Sequence, residues 1–323
     1  MASLPSAGWD GEEEEWTGGE ACPLFSERAS SSDDECWDTN QTSANAVPVY
    51  LSGIAPVDSI DHERMSNQLF LEVYRMKKPV IMKNFCLAWG ATQSWGESGF
   101  LSSCISSPDG TTLVAKDNLN FLYHELCDVS SISAGEAIAN ILDSQEKVDG
   151  DSRMYTRLYI DAHPELLSFI DTENLSHLAS TIDGSVTFVP KNVGVWVSSQ
   201  GCITPLHYDL CHGFLSQVVG AKRFLLASPD ETQYLYRNNS IATKNQTSSK
   251  VDLPKWMEND AEERKKFPNV GEVQWFCADL SPGDVLYTPP GWWHSVSSVC
   301  KSVSVLLPFD MIEGEHLSVL QSL

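Results

Sequence analysis

Three residues of this chain have the types and spacing of a metal site. Thr204-Pro-Leu-His207-Tyr-Asp209 carries an imidazole and a carboxylate two positions apart, and Gly291-Trp-Trp-His294 supplies a second imidazole much later. Side chains alternate along a β-strand, so His207 and Asp209 would share one face. Two imidazoles and one carboxylate bind a divalent metal on three adjacent positions and leave the opposite side open, the donor set of non-haem Fe(II) oxygenases. With neutral imidazoles the loaded site carries a net charge of +1 and can chelate a dianionic acid. A His-x-Asp pair alone is common, so the reading depends on the elements that would position it.

Those elements begin near Ser185, where short apolar stretches alternate with turn signals in the manner of a sandwich or barrel. Val193, Val195 and Val197 alternate with Gly194, Trp196 and Ser198. Phe214–Val219 and Lys222–Ala227 flank Gly220-Ala221, which suggests a type II′ hairpin. Further strands are expected at Val273–Leu280, Asp284–Tyr287, His294–Val299 and Ser302–Leu307, and about eight strands make a double-stranded β-helix, or jelly roll. Lys222 alternates with Phe224 and Leu226 and so faces inward, where an ammonium needs an anion. Residues 229–271 are polar and helix-leaning and are expected to be an insertion.

The earlier half is mixed α and β. Met65, Leu69, Val73 and Met76 have helical spacing, Pro79-Val-Ile-Met82 reads as a short buried strand, and Ser133-Ala-Gly-Glu136 is a capping box. Met154–Ile160 is a further strand. Residues 1–47 hold 11 acidic residues and one Arg, so disorder is expected there. The expected organisation is an acidic tail over 1–47, an α+β part over 48–184, the jelly roll over 185–310 and a short amphipathic helix over 311–323. That helix either packs down or pairs with a second subunit as a homodimer.

The formal net charge is −23. A field of that sign opposes a phosphate backbone, so nucleic acid is a disfavoured partner unless basic residues cluster. Nine cysteines without a C-x-x-C pair argue against a zinc ribbon or a disulfide framework and suit a reducing compartment, cytoplasm or nucleus. No apolar run is long enough to span a membrane, and no membrane partner is expected.

Three segments in order, Thr204–Asp209, Gln217–Leu226 and Gly283–His294, resemble the JmjC family of Fe(II)- and 2-oxoglutarate-dependent oxygenases. The likeness is greatest to its small hydroxylase branch, which includes an asparaginyl hydroxylase and the tRNA wybutosine hydroxylase. The resemblance implies a cupin-type jelly roll with an N-terminal α+β region, and His207, Asp209 and His294 as iron ligands. It implies Lys222 and Thr204 as partners of the distal carboxylate of 2-oxoglutarate, with Tyr155 as a further phenol donor. Where relatives often carry Asn beside the cosubstrate, this chain has Gly213 and Leu306; Arg157 is the residue that could compensate. His212 is not taken as a ligand, and Trp292 and Trp293 read as core or pocket wall.

The expected activity is hydroxylation of an unactivated C–H bond, with a protein side chain as first-choice substrate. A tRNA-modifying hydroxylase is the alternative; it would need a basic patch, for which Arg264-Lys-Lys266 with Lys77-Lys78 is the candidate. Lysine demethylation ranks third. A non-catalytic cupin that only binds a partner is the alternative from another class, and nothing structural would require all five of His207, Asp209, His294, Lys222 and Thr204.

Overall fold

The computed structural model describes residues 54–105, 111–116, 129–143, 153–182, 184–238, 247–312 and 314–316. The acidic stretch 1–47 and most of 311–323 therefore lie outside the described residues. The N-terminal strands are β1 (Ala55–Pro56), β2 (Asp58–Asp61), β3 (Val80–Lys83), β4 (Thr111–Lys116), β5 (Val129–Ser133) and β6 (Met154–Tyr159). Eight more follow: β7 (Gly194–Ser198), β8 (Ile203–Tyr208), β9 (His212–Val219), β10 (Lys222–Ala227), β11 (Trp275–Leu280), β12 (Val285–Thr288), β13 (Trp293–Ser298) and β14 (Ser302–Phe309).

These eight form the jelly roll. One sheet runs β1-β11-β10-β13-β8 and the other β2-β3-β12-β9-β14-β7-β6-β4-β5. From β7 to β14 the chain changes sheet at every connection except β10 to β11. The hairpin expected at Gly220-Ala221 is therefore corrected: β9 pairs with β12 and β14, β10 with β11 and β13, and the turn carries the chain between sheets. Gly is required there on two counts. Its φ is +65°, and a Cβ would lie 2.0 Å from the Lys301 carbonyl oxygen. Alternation fits this corner as well as it fits a hairpin, which is why the sequence pattern alone could not separate them.

The outer face of the larger sheet is covered by the N-terminal helices. Phe70, Trp95, Ile138, Val195, Val197, Phe214, Val303 and Val305 are fully or almost fully buried in that layer, each side chain of this size contributing about 1.5–3 kcal/mol on burial. Ser133 accepts from the Glu136 N–H and caps the helix Ala134–Leu142, as the capping box predicts. The helix expected over 61–76 is broken instead. A 3₁₀ turn (His62–Arg64), one α turn (Asn67–Leu69) and a π-type turn (Phe70–Tyr74) succeed one another, and Phe70 and Tyr74 join Met65 in the core while Leu69 and Val73 pack against it. The insertion covers the outer face of the smaller sheet through Leu253, Trp256, Phe267 and Val270. Cys300, in the β13–β14 turn, is disulfide-bonded, a covalent tie the cysteine spacing did not announce.

Candidate metal centre

β8 and β13 are adjacent and antiparallel, and their register sets His207 directly opposite His294. The two rings lie 4.2 Å apart by centroid. One ligand atom from each of His207, Asp209 and His294 lies within 4.8 Å of the others. Among the described residues this is the one cluster of three or more such side chains spaced to hold a metal. His207 Nδ1 is 2.7 Å from the Pro205 carbonyl and His294 Nδ1 is 3.0 Å from the Trp292 carbonyl. Each Nδ1–H donates to a carbonyl, which fixes the tautomer and leaves Nε2 free to ligate. Burial, reinforced by His207 and opposed by Asp209, pushes the His294 pKa down to about 4, so this imidazole is neutral near pH 7. Neutral imidazoles and a carboxylate fit a divalent iron-type ion.

Asp209 lies one residue beyond the end of β8, so strand alternation alone does not hold it. Its carbonyl accepts from the Gly291 N–H at 2.8 Å. Gly291 sits at φ +80°, in the turn that Pro289 and Pro290 open ahead of His294. The turn that delivers one ligand thus anchors the backbone of another. β8 would be a sheet edge, but residues 247–249 return from the insertion to cover it. Tyr208 N–H donates to the Thr247 carbonyl and Ser249 N–H to the Leu206 carbonyl, each at 2.9 Å.

A β-bulge sets the rest of the site. Opposite β13, His207 pairs with His294 but Thr204 pairs with Val296, so β8 carries one extra residue between them. Three positions apart on a regular strand, Thr204 and His207 would face opposite ways; the extra residue turns both inward. Thr204 Oγ1 then meets the Tyr155 hydroxyl at 3.2 Å. Lys222, 1% exposed, places Nζ 5.7 Å from the Tyr155 ring centroid. No ion pair to Lys222 is present among the described residues, and burial pushes its pKa down to about 7, against a smaller opposing effect of Cys202. A buried amine beside two hydroxyls has the donors and the charge that a carboxylate would need. The three residues that the resemblance assigned to the cosubstrate are thus brought together.

The remaining residues fall as follows. His212 faces the helical layer, bonded to the Tyr287 hydroxyl at 2.8 Å and Glu315 at 3.1 Å, away from the triad's side of the sheet. Trp292 packs inside the jelly roll and Trp293 in the core under the insertion. Phe224, 6.3 Å from His294 by ring centroid, walls the site. The bond between Gly291 and Asp209 and the bulge were not found from sequence; the Pro289-Pro290-Gly291 run ahead of His294 was the available signal for the first.

Residues 66–315 match the family model of a cupin-like domain. The chain belongs to the cupin-like JmjC oxygenase family. Within this family it is 35% identical over 125 residues to Jumonji C domain-containing protein 5 of Drosophila melanogaster, covering 39% of this chain and 29% of that protein. It is 31% identical over 157 residues to lysine-specific demethylase 8 of Danio rerio, 49% of this chain and 36% of the relative. With HSPB1-associated protein 1 of Homo sapiens it shares 24% identity over 255 residues, 76% of this chain and 50% of the relative. The chain thus spans about a third to a half of the length of these cupin-like relatives. No helix among its described residues is long and apolar enough to cross a membrane.

Proposed function

We propose that this chain is an Fe(II)- and 2-oxoglutarate-dependent hydroxylase whose substrate is a protein side chain. The observation that carries the reading is the union of two sites. The His207–Asp209–His294 triad would hold the metal, and Lys222, Thr204 and Tyr155 would form a carboxylate receptor in the same jelly roll. Iron, when bound, supplies the redox chemistry by which one O₂ converts 2-oxoglutarate to succinate and CO₂ and a C–H bond to C–OH. The chain's own part is to bind and orient. Lys222 and the two hydroxyls hold the distal carboxylate, so the keto-acid end is directed toward the triad. Phe224 and the buried walls keep water from the reacting centre.

The surface weighs toward protein over tRNA. Arg264 is committed to Trp256, with its guanidinium 4.4 Å from the ring centroid and Nε–H donating to the Trp256 carbonyl. Glu262 and Glu263 share its helix, and Lys78 pairs with Asp58 at 2.8 Å. A groove for a phosphate backbone needs basic side chains that are not already paired. The test is incubation with peptides and with tRNA under isotopically labelled O₂. Label in a peptide side chain is the expected result. Label in a nucleoside, or formaldehyde released from a methyl-lysine peptide, would replace the hydroxylated protein with one of the alternatives.

A further inference from the structure

Two residues along β6 from Tyr155, and so on the same inward face, stands Arg157. Its guanidinium lies 4.4 Å from the Tyr159 ring centroid and 4.9 Å from that of Trp196, held on an aromatic shelf. Its stem lies across β7 at Gly194. A Cβ there would fall 3.3 Å from Arg157 Cδ and 3.3 Å from Trp196 Nε1, so the absence of a side chain at Gly194 makes room for the arginine. Burial lowers its pKa, while Tyr159, Tyr155 and the triad's Asp209 act in the opposite direction. The carboxylate of the metal site is thus within electrostatic reach of this guanidinium.

We propose that Arg157 binds the metal-proximal carboxylate of the keto acid, so that β6 measures a five-carbon dicarboxylate between its Tyr155 and Arg157 positions. Two arguments support it. The first is length: residues i and i+2 of a strand are about 6.6 Å apart, and four C–C bonds of about 1.5 Å span about 5 Å end to end, so the two levels fit the two ends of one such acid. The second is the poverty of donors at this level. In register with Arg157 stand Trp196 on β7, Ser304 on β14 and Gln217 on β9, and in register with Tyr159 stand Gly194 on β7, Leu306 on β14 and Leu215 on β9. Leu306 Cδ1 lies 3.5 Å from where a Gly213 Cβ would stand. The Ser304 hydroxyl donates to Gln217 Oε1 at 2.8 Å and Gln217 Nε2 donates to the Val219 and Gly220 carbonyls and to Ser302, so these groups are committed to one another. Beside the Trp196 indole and the Tyr159 hydroxyl, Arg157 is the charged donor these positions offer a carboxylate, and its planar fork suits one.

This inference rests on the proposed function, and the experiment separates the two. The full chain loaded with Mn(II) is titrated calorimetrically with 2-oxoglutarate and with 2-oxopentanoate, which has the same length but no distal carboxylate. The wild type should bind both, 2-oxoglutarate more tightly. Lys222→Ala should weaken 2-oxoglutarate alone. Arg157→Met should weaken both acids by about 10- to 100-fold, the loss expected for one charge-assisted hydrogen-bonded contact. Arg157→Lys, which keeps stem and charge but not the fork, should recover part of that loss and serves if the Met variant does not fold. Wild-type affinity of both variants for both acids would overturn the role of Arg157 while leaving the oxygenase reading intact. Failure of the wild type to bind either acid would remove both.

Discussion

The backbone N–H of Gly291 donates to the carbonyl of Asp209 at 2.8 Å. This bond ties the turn before His294 to the residue after β8, so two ligands from distant parts of the sequence are set by one contact. Gly291 adopts φ +80°, which costs an L-residue about 1–2 kcal/mol. Gly291→Ala should therefore lower stability by about that amount and also weaken metal binding, because the turn relaxes away from Asp209. Thermal melts and Mn(II) titration check both. A variant that is less stable but binds metal unchanged would show that Asp209 is placed by other contacts.

The bulge in β8 turns Thr204 to the inward face, where it meets Tyr155. Thr204→Val keeps the shape and removes the hydroxyl that meets Tyr155. Loss of one such bond, at about 0.5–1.5 kcal/mol, should raise the 2-oxoglutarate requirement by about 2- to 10-fold with metal affinity unchanged. An unaltered requirement would place Thr204 outside the receptor.

The buried Lys222 gives a pH dependence. Burial puts its pKa at about 7, and a bound carboxylate would favour the charged form and raise that pKa. Below pH 7 the amine is already protonated and affinity should be nearly flat. Above pH 7 binding must take up a proton, so affinity should fall, by up to about tenfold per pH unit. Calorimetry in buffers of different ionisation enthalpy would register the uptake. Proton release on binding, or affinity flat from pH 7 to 9, would contradict the assignment.

Away from the site, Glu315 receives Arg75 at 2.8 and 3.1 Å and His212 at 3.1 Å. Burial alone would raise its pKa, but the bonds from His212, Arg75 and the Ile312 N–H bring it down to about 2. A carboxyl depressed in the folded state stabilises above its unfolded pKa, and that stability is lost as pH falls through the folded value. Glu315→Gln should cost about 1–3 kcal/mol near neutrality, and the difference from wild type should shrink between about pH 4.5 and 2. A difference independent of pH over that window would mean that shape rather than charge matters at this position.

Much of this was legible from residue types and periodicity. β10 spans Lys222–Ala227 as its alternation predicts, with Lys222 inward, and the triad comes together from two motifs far apart in sequence. What was not legible is non-local. The bulge between Thr204 and His207 exists only relative to β13, and the sheet change at Gly220-Ala221 depends on Lys301 lying against the turn. The broken helix at 62–74 reflects a tertiary choice, the burial of Phe70 and Tyr74 over the regular spacing of Leu69 and Val73. The cover over the edge of β8 comes from residues 247–249, in a segment with no periodic signal.

The central claim, that the triad and the receptor form one oxygenase site, is tested most directly by succinate formation. Purified full-length chain is supplied with Fe(II), ascorbate, 2-oxoglutarate and O₂, without a second substrate, beside His207→Ala. Slow release of succinate by the wild type, lost in His207→Ala with the fold retained by circular dichroism, is the predicted result. Equal succinate from both proteins would contradict the account, because the metal would then not be held by His207.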